Sequence, residues 1–140
     1  MNEIIGGDAA TLERVAEAFV ARQAERGVAY TEVRYDPIRA ATSALAGRTI
    51  AKGAVVQAVE RGLAAGAALY GGEAHQLLCA MRGSPASACF ELVALGAAAR
   101  SGKMGGVVGV CAVTNHSVRP ASTGCSDTRP LHAAHKGTAP

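Results

Sequence analysis

The chain is predicted to be α/β, with helices and parallel strands alternating along the sequence. Two observations carry this. Tyr30-Thr-Glu-Val-Arg-Tyr-Asp-Pro37 and His75-Gln-Leu-Leu-Cys-Ala-Met-Arg-Gly83 each read as a strand that ends at a turn former, Pro37 in one and Gly83-Ser84-Pro85 in the other. Segments with helical spacing of apolar residues surround them, and that order implies a parallel sheet covered by helices. Such units, repeated, build a (β/α)8 TIM barrel. A complete barrel typically takes about 250 residues, so 140 residues hold a partial barrel of about three helix-strand units.

The first helix is expected over residues 11–26. Leu12, Val15, Ala16, Phe19 and Val20 recur at the spacing of one helical face. Asp8 or Thr11 can cap its start and Gly27 can end it. Residues 28–35 then run extended, because the residue before Pro37 is biased away from helix. Residues 38–53 read as a polar connection. In the second helix Val55, Val56, Val59 and Leu63 share a face. Gly62 and Gly66 weaken it by about 1 kcal/mol each relative to Ala, and Gly71-Gly72 stops it. The second strand spans about residues 75–82 as a largely apolar, buried run. Ser84 and Pro85 suit the N-cap and first position of a third helix, whose Phe90, Val93, Ala94 and Ala97 fall at helical spacing before Gly102. Gly106-Val-Val-Gly-Val110 is a short third strand.

From residue 111 the texture changes. Residues 111–140 hold no Glu and no aromatic, three of the five prolines and three of the four histidines. This composition cannot build a core, and an unstructured tail unrelated to residues 1–110 is expected.

A net charge of +3 with interleaved signs gives no basic run for nucleic acid or an anionic membrane. Cys79, Cys89, Cys111 and Cys125 form no CxxC and no secreted framework, so free thiols are expected. The start lacks the pattern of a signal peptide and no stretch resembles a membrane span. A cytoplasmic location is the expectation. Only five aromatics stand beside 17 glycines; small side chains bury little area at about 25 cal/mol per Å², so an isolated fold would be marginal.

Taken in order, these segments resemble the metal-dependent adenosine deaminase family. Leu12-Glu-Arg-Val-Ala-Glu-Ala-Phe-Val20 with Glu25-Arg-Gly-Val28 is similar to the helix leading into that family's second barrel strand, and Tyr30-x-Glu-Val-Arg-Tyr-x-Pro37 to the strand itself. Leu77-Leu-Cys-Ala-Met-Arg82 resembles the third strand, Phe90-Glu-Leu-Val-Ala-Leu95 the helix after it, and Gly106-Val-Val-Gly-Val110 the opening of the fourth. The resemblance covers about residues 4–110. It implies zinc-dependent hydrolytic deamination of adenosine to inosine, part of purine metabolism, with zinc supplying both Lewis acid and low-pKa nucleophile.

The chain departs from the family where the chemistry lies. There is no H-x-H pair and no His-Ala-Gly-Glu run, so the metal ligands and the catalytic Glu are absent. After Val110 the family's Asp-Leu-Ala-Gly-Asp-Glu is replaced by Cys-Ala-Val-Thr-Asn, and a frameshift, a retained intron or a misplaced gene end is the expected cause of the break. What the resemblance leaves are two substrate-lining positions. Met81 matches the methionine at the end of the third strand, and Asp36 precedes the strand-ending proline; barrels place chemistry at these strand ends. The alternatives are a core-filling Met81 and a turn-forming Asp36.

Glu32, Arg34 and Arg82 are expected to be structural, with an ion pair at the barrel wall, and His75 to be solvated or hydrogen-bonded. Cys111, His116, Cys125, His132 and His135 fit no finger or ribbon spacing. Gly102-Lys-Met-Gly-Gly106 precedes a strand, so it is no phosphate loop. The expected function is an adenosine-deaminase-like hydrolase, inactive as this chain, with adenosine or a related purine as ligand if completed. The alternative is a non-catalytic truncated paralogue, an interaction or aggregation-prone fragment that binds a full-length deaminase or pairs its open sheet edge with another copy.

Overall fold

The computed structural model describes residues 2–81, 83–103 and 106–113. Its elements in chain order are α1 (Asn2–Ile5), α2 (Ala9–Ala24), β1 (Tyr30–Tyr35), α3 (Pro37–Ala40), β2 (Thr42–Ser43), β3 (Arg48–Thr49), α4 (Lys52–Tyr70), β4 (Glu73–Met81), α5 (Ala86–Ala98), a π-helical turn (Ala99–Lys103) and β5 (Val107–Val113). The α/β expectation holds. Strands β1, β4 and β5 form a parallel sheet in that order, each paired with the next along the chain. Sequential parallel strands joined through helices are the repeating unit of a (β/α)8 barrel wall. No helix among the described residues is long and apolar enough to cross a membrane.

Asp8, not Thr11, caps α2. Its Oδ1 accepts from the backbone N–H of Ala10 at 3.0 Å and of Thr11 at 3.2 Å. The helix buries Leu12, Ala16 and Val20, while Val15 on the expected stripe stays 42% exposed. The stripe narrows because α4 comes very close. A Cβ added to Gly66 would lie 2.6 Å from the Cβ of Val20, and one at Gly62 would lie 2.7 Å from the Cβ of Ala16 and collide with the Glu13 carbonyl. The two glycines that lower helix propensity are what allow the two helices to touch backbone to backbone. Val59 and Leu63 of α4 close this core with Ala16 and Val20.

The connection over 38–53 is more structured than its polarity suggests. Asp36 caps the short helix α3 with Pro37 at its first position, and β2 pairs with β3 as a small antiparallel hairpin. Arg48 of that hairpin reaches the Asp8 carboxylate at 3.0 Å, which fastens the hairpin to the start of α2.

Helix α5 turns the opposite face inward from the one its spacing suggested. Leu92 and Gly96 are buried, whereas Phe90 is 76% and Val93 58% exposed. A helix that is apolar nearly all round offers no periodic contrast, so spacing alone cannot choose its face. The start also shifts by one residue, with Pro85 in the N-cap position and no side-chain cap bond. Strand β5 runs to Val113, three residues beyond Val110, because Cys111, Ala112 and Val113 keep pairing with Cys79, Ala80 and Met81. The tail expected beyond it lies outside the described residues.

Candidate functional site

Strand alternation sorts the sheet into two faces. On β1, Thr31, Val33 and Tyr35 are half-buried, while Tyr30, Glu32 and Arg34 are exposed on the other side. On β4, Gln76 and Leu78 are fully buried toward the helices, which leaves Leu77, Cys79 and Met81 on the face opposite. That second face would be the interior of a barrel.

Beneath it runs a buried polar chain. The Tyr35 hydroxyl donates to Gln76 Oε1 at 2.5 Å, and Gln76 Nε2 donates to Glu60 Oε2 at 2.8 Å. Burial, reinforced by the negative charge of Glu60, pushes the Tyr35 pKa well above the ordinary tyrosine range. Gln76 drew no attention in the sequence because it sits within an apolar run. A lone amide there is itself the signal, since a fully buried amide requires partners.

Asp36 and Met81, at the C-terminal ends of their strands, reach one cavity of about 360 Å³ that runs between α2 and β1, with Ala16, Phe19, Val33 and Val59 along it and Arg34 and Arg39 beside Asp36. The two residues singled out in the sequence therefore meet at one site. Their roles in the fold differ. Asp36 is buried, and its Oδ1 accepts from the backbone N–H of Ile38 at 2.9 Å and of Arg39 at 3.2 Å; the carboxylate is a helix cap as well as a wall. Met81 is half-buried at the end of β4. A second groove, about 480 Å³, lies between the outer face of α2 and Tyr70, toward the start of the strands and away from these ends.

The expected ion pair of Glu32 with an arginine is not formed among the described residues. Glu32 instead accepts from the Tyr30 hydroxyl at 2.7 Å, because that neighbour two residues back lies on the same side of the strand. Arg34 is exposed and Arg82 lies outside the described residues. His75 meets Glu73 at 2.6 Å and its ring lies 5.6 Å from that of Tyr30. This cluster stands near the N-terminal ends of the strands, far along β4 from Met81.

The donor set does not fit a catalytic zinc. Among the described residues no group of three or more His, Cys, Asp and Glu could hold a metal ion, and the H-x-H pair is missing from the sequence. His116, His132 and His135 lie outside the described residues. What the site offers is a mostly apolar wall with one capped carboxylate and two guanidinium groups.

The sequence matches the model of one protein family, described as adenosine deaminase, over residues 3–120. Among curated proteins none matches. Solved structures do. An amidohydrolase from Burkholderia ambifaria with bound zinc is similar with a TM-score of 0.65 at 18% identity, over 81% of this chain and 29% of that one. The apo N6-methyl-AMP deaminase from Arabidopsis thaliana gives a TM-score of 0.65 at 25% identity, over 83% of this chain and 34% of the other. Arabidopsis ADAL complexed with IMP gives 0.63 at 24%, over 79% and 32%. The chain spans about a third of the length of these structures.

Proposed function

The chain belongs to the adenosine deaminase family, and from that premise we propose that it forms part of the substrate wall of a hydrolase that deaminates adenosine or a related purine. The supporting observation is the parallel β1–β4 pairing that brings Asp36 and Met81 to a single cavity at the strand ends, where barrel enzymes place their chemistry. In this reading Met81 packs against the purine ring, and Asp36 shapes the mouth by fixing α3. Zinc, when bound in such an enzyme, supplies the activated water; the residues here lack its ligands, so the wall alone does not deaminate. Sequencing the transcript on both sides of this reading frame tests the assignment. Asp-Leu-Ala-Gly-Asp-Glu and His-Ala-Gly-Glu resuming beyond the codon for Val110 is the expected result. A message that encodes neither in any frame contradicts it.

A second reading rests on a separate observation. Phe90 and Val93 are exposed side by side on α5, and among the described residues β1 and β5 are the edges of the sheet. Apolar surface and unpaired edges favour association, so a non-catalytic role through self-association is the alternative. Light scattering on purified chain separates them: concentration-dependent oligomers support it, and a monomer at every concentration excludes it.

A further inference from the structure

We propose that Cys79 and Cys111 are a redox modification site, closing a reversible disulfide between adjacent parallel strands when the protein meets a peroxide. The two residues are 32 positions apart in sequence, yet they are register partners on β4 and β5, and their Sγ atoms lie 2.7 Å apart. Both are free thiols. A covalent S–S bond is about 2.05 Å long, so closure brings the two sulfurs less than an ångström closer. The pair stands on the sheet face turned from the helices, two residues before Met81, in a region where neither sulfur is needed to fill the helix-side core.

The two sulfurs are not equivalent, which sets the order of events. Cys79 is buried, and that burial, with the Cys111 contact, pushes its pKa up to about 12; it is a poor first nucleophile. Cys111 is only half-buried and meets the oxidant first. Its sulfur attacks hydrogen peroxide, the O–O bond breaks, and water leaves with Cys111 as a sulfenic acid. The Cys79 sulfur then displaces that hydroxyl as a second water, its own proton passing to the leaving group, and the S–S bond forms. Two thiols lose two protons and two electrons, and the peroxide takes both. A dithiol reductant reverses the step. The product ties β4 to β5 next to the cavity that holds Met81.

The test uses the full chain. Reduced protein is treated with limiting hydrogen peroxide, remaining thiols are alkylated, and tryptic peptides are mapped without reduction. The expected result is loss of two of the four thiols and a crosslink between the peptide ending at Arg82 and the one beginning at Met104, located by fragmentation to Cys79 and Cys111. The same treatment in denaturant should scatter the pairings among all four cysteines. C111S should leave Cys79 reduced, and C79S should stall at a Cys111 sulfenic acid captured by a dimedone-type probe. Equal pairing patterns in native and denatured protein would overturn the proposal. So would native oxidation that yields only intermolecular bonds or bonds to Cys89 or Cys125. The wild-type maps decide this without either variant.

Discussion

Tyr35 on β1 donates its hydroxyl to Oε1 of Gln76 on β4, and Gln76 in turn holds Glu60 of α4. One amide thus joins two strands and the helix between them. Tyr35→Phe keeps the ring in the core but leaves that Gln76 oxygen buried without its donor. A buried acceptor without a partner costs about 1–3 kcal/mol, which urea unfolding would register as a lower midpoint at unchanged slope.

The same tyrosine sets an alkaline limit. Burial and Glu60 raise its folded-state pKa above an unfolded value of about 10. A raised acid favours the folded state fully below the unfolded pKa and loses that contribution as pH rises through the folded one. Melting temperature should therefore fall above about pH 10, and Tyr35→Phe should remove that part of the fall.

At acid pH the sensitive group is Asp8. The Thr11 backbone and hydroxyl hydrogen bonds, aided by Arg48, hold its carboxyl below the usual range. A lowered acid stabilises above its unfolded pKa and loses that contribution as pH falls through the folded value. Asp8→Asn keeps the cap acceptor but removes the charge toward Arg48, so its melting temperature should be flatter than wild type below about pH 4.

Gly62→Ala and Gly66→Ala test whether propensity or packing governs α4. Propensity alone predicts a gain of about 1 kcal/mol. The added methyl meets the Glu13 carbonyl and Ala16 in one case and Val20 in the other, and overpacking costs about 1–3 kcal/mol. Both variants should be less stable than wild type by thermal unfolding.

Asp36→Ala removes the cap of α3 at a cost of about 1 kcal/mol, while Asp36→Asn should retain most of it. Thermal melts of the pair measure the capping share of Asp36 directly.

Much of this was legible in the residues. The order of elements follows from Leu12, Ala16 and Val20 at helical spacing, from Pro37, and from Gly71-Gly72. The meeting of Asp36 and Met81 follows from their places at strand ends. The inward face of α5 was not legible, because Phe90 and Leu92 are equally apolar and only the sheet decides between them. Gly62 and Gly66 read as flaws in a helix until a second helix lies against them. The Cys79–Cys111 pairing depends on strand register, which single-strand patterns do not contain.

The proposed function gives this chain a deaminase wall without a deaminating centre. Purified chain incubated with adenosine and zinc, followed at the adenosine absorbance band with and without chelator, is the decisive assay. The predicted result is an unchanged band in both. A zinc-dependent loss of absorbance that chelator abolishes would contradict the account.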